Sequence, residues 1–152
     1  MTGAQISDTN RIERQITINA SRQRVWDLVT RPGWWINEGD VREHRIERNG
    51  DVYEVHDPGC GTFQVRVVAL RPQSYAAFRW RSDGVSRTVD GPTTLVEFWI
   101  DDHPDGGVVV RVAESGFEGL DSAEAVRREN YEGNVAGWRM ELAALSRALE
   151  RP

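Results

Sequence analysis

Two glutamates and two asparagines in the C-terminal half of this 152-residue chain have types and positions that could support chemistry. Glu114 shares one face of a predicted strand with neighbouring valines, so its side chain is a candidate to point inward. Glu141 follows Asn130 and Asn134 along one edge of an apolar helical stripe. A carboxyl group in an apolar cavity has a raised pKa and can act as a general acid or base. With 19 arginines in the chain, a solvated position or an arginine partner is the favoured interpretation for both glutamates.

The histidines and the cysteine are weaker candidates. His44 and His56 lie in adjacent predicted strands and could be cavity groups, but ordinary strand positions are favoured for both. Cys60 lies between two glycines without an obvious histidine partner, so we expect an inert thiol.

No metal or cofactor site is predicted. Asp101, His103 and Asp105 resemble the start of a calcium loop, but the twelfth position is Val112, where a bidentate glutamate is required. No zinc-ligand spacing, P-loop, dinucleotide fingerprint or nucleophile elbow occurs in the sequence.

A long helix over residues 121–150 must position several of these groups. Six apolar residues recur along it at three-and-four spacing: Tyr131, Val135, Trp138, Leu142, Leu145 and Leu149. Gly133 and Gly137 lie one turn apart on a different side of this helix, and each costs about 1 kcal/mol relative to alanine. They indicate either a close approach to a sheet or space left for a ligand. Asp121 and Glu124 predict a capping pair at the start of the helix.

The rest of the chain predicts one curved antiparallel sheet. An alternating strand around Ile12, Ile16 and Ile18 is followed by a helix capped by Ser21 and by a second, short helical turn at residues 33–36. Asn49-Gly50 predicts a hairpin turn. Six further strands are predicted at residues 41–48, 51–56, 62–70, 75–81, 94–101 and 108–115. This order predicts an α+β fold, β-α-α-β6-α, in which the sheet grips the C-terminal helix and a cavity opens between them.

Aromatic residues are the candidates for lining that cavity, since six tryptophans are the compositional outlier. For any one of them an ordinary core position is equally acceptable, but a subset is predicted to line a pocket of ~300–1,000 Å³. Trp34 and Trp35 follow Pro32-Gly33 and are the gate candidates, because they should be hard to bury together. Trp99 lies on the opposite strand face, where we expect exposure and a candidate homodimer contact. The predicted ligand-binding residues are Trp26, Trp34, Trp35, Phe78, Trp80, Phe98, Phe117, Asn134, Gly137 and Trp138.

Composition excludes several function classes. The length predicts one domain over residues 11–152, after a flexible leader at residues 1–10. The 19 basic residues are scattered arginines in a chain of net charge −5, so no nucleic-acid surface is expected. A single cysteine, no secretory signal and no apolar run of membrane-spanning length favour a cytoplasmic protein without a membrane span.

Several short stretches carry a likeness to known proteins by their order and spacing. They are Ile16 to Ser21 with Val25-Trp26, Trp34-Trp35, Gly61 to Pro72, Phe78-Arg79-Trp80, Glu114 to Phe117, and Gly137-Trp138 with Leu142 and Leu145. Together with the element order, they resemble the START-like (SRPBCC) superfamily with the helix-grip fold, and more narrowly the branch named for the activator of heat-shock-protein-90 ATPase. The likeness covers roughly residues 11–150. The resemblance implies an apolar cavity that takes lipids, polyketides, hormones or aromatic compounds, and some members are enzymes.

The leading hypothesis is therefore binding of a small apolar or aromatic ligand between the sheet and the C-terminal helix. One alternative is a cyclase- or hydrolase-type enzyme that uses Glu114 or Glu141 together with a histidine. The other is a chaperone-linked protein-interaction module, which predicts an exposed apolar patch near Trp99 or Trp34.

Overall fold

The computed structural model describes residues 9–150, so the predicted leader lies almost wholly outside the described residues. Seven strands form one antiparallel sheet: β1 (Arg11–Ile18), β2 (Arg45–Asn49), β3 (Val52–Asp57), β4 (Gly61–Arg71), β5 (Tyr75–Trp80), β6 (Thr94–Asp102) and β7 (Val108–Ser115). Two α-helices accompany it, α1 (Arg22–Val29) and α2 (Glu124–Glu150), with a 3₁₀ turn at Phe117–Gly119 before α2. The predicted α+β fold is confirmed.

Strands β2 to β7 form an antiparallel meander, and β1 is added at the edge of the sheet beside β7. The strand order is β1-β7-β6-β5-β4-β3-β2, so β1 pairs with the last strand while each other pair is consecutive in the chain. Asn49 pairs with Val52 across the predicted Asn49-Gly50 hairpin, and Gly50 has the positive φ of 67° that this turn requires. A register shift between Val67 and Ala69 interrupts the pairing of β4 with β5. Such a bulge bends a strand, which helps the sheet to curve around α2.

Helix α1 begins as predicted. The Ser21 hydroxyl accepts a hydrogen bond from the backbone N–H of Arg24 at 3.2 Å, which satisfies one of the free donors of the first turn.

Three local predictions differ from the structure. The second helical turn is a hydrogen-bonded turn without a helix, closed by Trp34 N–H to the Arg31 carbonyl and Ile36 N–H to the Gly33 carbonyl. Asp121 does not cap α2, because the helix begins at Glu124 and the Asp121 carboxylate accepts a hydrogen bond from Arg81 at 2.6 Å. Strand β2 begins four residues later than predicted, at Arg45.

The core lies between one face of the sheet and the two helices. It contains buried residues of every element except β2, all five residues of which are exposed. Alternate residues of β6 and β7, such as Val96, Phe98, Val110 and Val112, face this layer, as the two-residue period of a strand requires. Among the described residues, no helix is both long and apolar enough to cross a membrane.

Candidate functional site

The centre of the site is Glu114, whose side chain is 0% exposed. Trp80 pairs with Thr94, and Glu114 pairs with Val96, two residues along β6 from Thr94. Residues two apart on a strand share a face, so Trp80, Thr94 and Glu114 all point inward at the same end of three neighbouring strands. Helix α2 crosses this end and adds Asn134 and Trp138.

Both oxygens of Glu114 accept hydrogen bonds from two donors each. Oε1 accepts from Asn134 Nδ2 at 3.0 Å and from Trp138 Nε1 at 2.8 Å. Oε2 accepts from Trp80 Nε1 at 2.8 Å and from Thr94 Oγ1 at 2.5 Å. Indole N–H groups can only donate, so the arrangement suits a carboxyl group that accepts at every site.

Burial raises the pKa of Glu114, and the hydrogen bonds from Thr94, Trp138, Trp80 and Asn134 act in the opposite direction. No arginine or histidine within the described residues forms an ion pair with this carboxyl group. The favoured sequence interpretation, a solvated or arginine-paired Glu114, is therefore wrong. The two-residue period of the strand was compatible with an inward Glu114 side chain. The hydrogen-bond partners of this side chain are neutral donors and not the expected arginine.

A cleft opens beside this buried carboxyl group, between α2 and the sheet. Its volume is about 110 Å³. It is lined by Trp35, Trp80, Asn134, Gly137, Trp138 and Glu141. Three of these residues, Trp80, Asn134 and Trp138, also donate hydrogen bonds to Glu114, so the carboxyl group lies directly behind the cleft wall.

The cleft is smaller than the pocket of ~300–1,000 Å³ expected from the sequence, because aromatic rings fill most of the space between helix and sheet. The ring centroid of Trp35 lies 5.4–5.8 Å from those of Phe78, Trp80, Phe98 and Trp138. The expectation that Trp34 and Trp35 cannot be buried together is wrong: they are 1% and 4% exposed. Their rings meet edge to face with centroids 6.2 Å apart, and both also contact Phe98 in the core.

The two helix glycines mark open space rather than close packing. A Cβ atom added at Gly133 or at Gly137 would meet no atom within 4 Å outside the local helix. The sequence offered two reasons for these glycines, a close approach to the sheet or space left for a ligand. The structure is compatible only with the second reason. Gly137 borders the cleft, and Gly133 borders an adjoining, more open recess of about 530 Å³ between α2 and residues 82–84.

Glu141 is the titratable group on the rim of the cleft. Burial raises its pKa to about 7, while a hydrogen bond from Asn37 Nδ2 at 2.8 Å and the charges of Arg147 and Arg42 act to lower it. Asp57 adds a smaller raising effect. A carboxyl group with this pKa exchanges protons near neutral pH, as a general acid or base must.

A chain of polar side chains joins the recess to Glu114. Asn134 Nδ2 donates to Ser82 Oγ as well as to Glu114, and Ser82 Oγ donates to Asn130 Oδ1, both at 3.1 Å. Asn130, Asn134 and Glu141 thus lie along one edge of α2, as their spacing predicted. Asn134 borders both the cleft and the recess.

The predicted ligand-binding residues divide into two groups. Trp35, Trp80, Asn134, Gly137 and Trp138 surround the cleft. The others lie elsewhere: Trp34, Phe78 and Phe98 are buried in the core, Trp26 packs against the core from α1, and Phe117 contacts Tyr131 near the start of α2. Periodicity predicted which face these residues share, but it could not separate lining residues from those packed behind them.

The histidines and Cys60 lie away from the cleft. His44 Nε2 contacts Asp57 Oδ1 at 2.9 Å, and His56 contacts Thr62 and Glu47 at the surface. Burial and the neighbouring Asp57 raise the pKa of the Cys60 thiol to about 11, so the thiol is protonated at neutral pH and unreactive. No group of three or more acidic, histidine or cysteine side chains within residues 9–150 is arranged to hold a metal ion.

Neither tryptophan that was expected to form an exposed apolar patch for a protein partner is fully exposed in the structure. Trp34 is buried, which contradicts the patch predicted there. Trp99 is half-buried, with the Arg111 guanidinium 4.2 Å from its ring centroid and Tyr75 beside it.

Sequence reasoning missed three residues of the site, namely Thr94, Ser82 and Asn37. Thr94 begins a strand opposite Trp80, but a threonine at a strand end is too common to be a signal. Ser82 and Asn37 lie in irregular segments, whose side-chain directions follow from tertiary contacts alone.

Comparison with known proteins places this architecture in a family. Residues 19–150 match the family described as Activator of Hsp90 ATPase homolog 1-like protein. No curated protein sequence matches the chain significantly. A Mesorhizobium loti protein has a similar structure, with a TM-score of 0.67, 18% identity, and coverage of 93% of this chain and 97% of that one. A Chromobacterium violaceum protein has a TM-score of 0.63 and 20% identity, over 94% and 99% of the two chains.

DynU16, a protein of the dynemicin biosynthetic locus, has a TM-score of 0.65 and 22% identity. The match covers 93% of this chain but only 47% of that one. At these identities the likenesses establish a shared fold and nothing further.

Proposed function

We propose that this chain, which belongs to the Activator of Hsp90 ATPase homolog 1-like family, binds a small apolar or aromatic molecule in the cleft between α2 and the sheet. The observation that carries the proposal is a concave apolar surface with a few polar groups at one place. Trp35, Trp80 and Trp138 supply the apolar walls, and Asn134 and Glu141 supply the polar atoms. Small-molecule sites combine these features.

The absence of a side chain at Gly137 supports the same proposal. An alanine there would be more favourable for the helix by about 1 kcal/mol and would meet no neighbour, so packing gives no reason for the glycine. A glycine keeps the cleft mouth open.

The test is a screen of small apolar and aromatic compounds by amide and indole N–H NMR. We expect a binder to shift the resonances of Trp35, Trp80, Trp138 and Gly137 together. Replacement Gly137→Leu should abolish these shifts while leaving unfolding unchanged or slightly improved. The matched control is Ala136→Leu, which adds the same side chain at an exposed neighbouring position. Equal loss of binding in both variants, or a broad library with no binder at these residues, would reject the proposal.

A second candidate function is acid–base catalysis by Glu141, favoured by its pKa of about 7 at the cleft rim. Cyclisation or hydrolysis of a bound molecule would use this carboxyl group to transfer a proton. Incubation of each binder followed by mass spectrometry detects any conversion. Under this candidate, Glu141→Gln retains binding and loses turnover, whereas conversion at the wild-type rate by the variant excludes it.

The chaperone-linked alternative and the homodimer remain predictions. Titration of the purified protein into a chaperone ATPase assay tests the first, and an unchanged turnover number excludes it. Sedimentation equilibrium with Trp99→Ala tests the second.

A further inference from the structure

The cleft has one carboxyl group on its rim and another behind its wall, and neither forms an ion pair within the described residues. Glu114 lies behind the wall with neutral donors only, and Glu141 lies on the rim with Asn37 as its hydrogen-bond partner. None of the described residues that line the cleft is basic. A buried carboxylate with no cation beside it is costly, so a positive group in the cleft would be stabilised by both glutamates.

The two arginines that act on Glu141 through space already have partners. Arg42 donates to Asp57 at 2.6 Å, and Arg147 donates to Asp40 at 2.8 Å. Neither contacts Glu141 directly, so the cleft side of that carboxyl group is available to a ligand.

The walls of the cleft are suited to the same kind of group. The Trp35 and Trp80 rings meet at 85° with centroids 5.5 Å apart, and the Trp138 ring is inclined by 46° to that of Trp35 at 5.8 Å. The three indoles are therefore in contact with one another and largely buried, and the part of each ring that lines the cleft is the surface that can attract a cation. The indole N–H groups of Trp80 and Trp138 donate to Glu114, which leaves their rings more electron-rich.

The volume limits the size of that group. A cavity of ~150 Å³ can hold benzene, so a cleft of about 110 Å³ suits a somewhat smaller group. A singly or doubly methylated ammonium head is smaller than benzene, whereas a trimethylammonium head is about as large and would be enclosed only in part by the open cleft. The apolar methyl groups are compatible with the indole walls.

From the aromatic walls and the carboxyl groups without an ion-pair partner, we propose that the ligand of this cleft is an organic cation. Its methylated or alkyl ammonium group would lie in the cleft, against the indole walls and beside Glu141. This inference rests on the proposed function and specifies its ligand class. The adjoining recess, which Asp83 and Glu129 also line, would accommodate the remainder of the ligand.

The experiment compares two probes of equal shape on the unmodified protein. The first is choline, and the second is dimethylbutanol, in which a carbon atom replaces the quaternary nitrogen. Binding is measured by titration of the indole N–H resonances of Trp35, Trp80 and Trp138. We expect choline to bind at least about tenfold more tightly than the alcohol, because the shape is the same and only the charge differs.

Two charge variants assign the effect to the cleft. Glu141→Gln should weaken choline binding several-fold and leave the alcohol unaffected, since the amide keeps the shape and the oxygen that accepts from Asn37. Glu132→Gln is the matched control, because Glu132 is exposed and nine residues earlier on α2, on the opposite side of the helix. It should leave both affinities unchanged.

Equal or tighter binding of the alcohol would overturn the cation inference while leaving the proposed binding of apolar molecules intact. Failure of both probes to shift the cleft resonances would also overturn it, and the compound screen would then decide the proposed function separately. Equal effects of the two charge variants would overturn it as well, by showing that choline responds to net charge rather than to the cleft.

Discussion

At Glu114 the protein places a carboxyl group beyond the reach of water and surrounds it with four neutral donors from two strands and a helix. Each donor satisfies a lone pair of the carboxyl group, and the indole N–H groups of Trp80 and Trp138 would be left unsatisfied without it. The network therefore specifies how β5, β6, β7 and α2 meet. Replacement of Glu114 should therefore lower the free energy of unfolding much more than replacement of a surface glutamate.

Replacement Glu114→Gln should lower the free energy of unfolding by about 2–4 kcal/mol, because one acceptor oxygen becomes an N–H donor that faces other donors. Urea unfolding followed by tryptophan fluorescence measures the change. Glu132→Gln, at an exposed position, serves as the control and should change stability by less than about 0.5 kcal/mol. A loss below about 1 kcal/mol for Glu114→Gln would show that the network contributes little.

Glu141 gives the folded protein a dependence on pH. Its folded-state pKa of about 7 lies above the ordinary value of 4.5, so between these values the folded state binds more protons than the unfolded state. Stability from this group is then fully present below about pH 4.5 and is lost as the pH rises to about 7.

In Glu141→Gln this loss should be absent. We expect the variant to gain about 1–2 kcal/mol relative to the wild type between pH 5 and pH 8, an amount reduced because the carboxyl group is partly exposed to solvent. Urea unfolding of both proteins across this range measures the difference, in which the contribution of Glu114 cancels. A constant difference would contradict the raised pKa.

At the scale of elements, α2 combines an apolar stripe with glycines that weaken the helix. Trp138, Leu142, Leu145 and Leu149 are buried against the sheet, whereas Gly133 and Gly137 face open space. Tertiary packing of the stripe offsets the poor propensity of the glycines, as is usual for helices in proteins.

Alanine at either helix glycine should therefore stabilise the protein. We expect Gly133→Ala and Gly137→Ala each to raise the free energy of unfolding by about 0.5–1 kcal/mol, because the added Cβ meets no neighbour and the helix gains propensity. Thermal and urea unfolding measure the gain. A loss of stability at Gly137 would imply that the helix moves toward the sheet there.

The β6–β7 hairpin contains a glycine that, unlike Gly133 and Gly137, has no room for a side chain. Gly107 has φ +72°, and a Cβ there would lie 2.4 Å from the Ile18 carbonyl oxygen at the end of β1. Gly107→Ala should cost about 2–4 kcal/mol from the clash and the left-handed backbone. Gly106→Ala is the matched control: with φ +100° and no atom within 4 Å, it should cost only the backbone strain. Equal losses would show that strain alone matters.

At the scale of the molecule, one core joins all elements except β2. The sheet order places β1 beside β7, so the first and last strands are held together by eight residue pairs. Within residues 9–150 the buried apolar residues form one cluster, which favours cooperative unfolding.

We expect one urea transition that coincides for far-ultraviolet circular dichroism, which reports α2, and for tryptophan fluorescence, which reports the aromatic cluster. Hydrogen exchange should be fastest among the strands in β2, which is fully exposed and at the sheet edge. Two separated transitions would contradict a single domain.

The sequence by itself determined the architecture. Alternating residues predicted the strands from β3 to β7 to within one residue at nearly every end, Asn49-Gly50 predicted its hairpin, and the apolar stripe predicted α2 with an error only at its start. The period of its strand made Glu114 a candidate to point inward, although a solvated or arginine-paired position was the favoured interpretation and is wrong. These features are determined within one element, where φ/ψ preferences and periodicity act.

Only the tertiary structure decided the site. The donors to Glu114 come from strands and a helix up to 34 residues away in the chain, and no local pattern shows which side chains meet across that distance. The burial of both Trp34 and Trp35, and hence the small size of the cleft, depends on how rings from the turn, the sheet and α2 interlock. Periodicity states which face of its own element a residue occupies, whereas the volume left between two elements is set by how far the side chains of each reach towards the other.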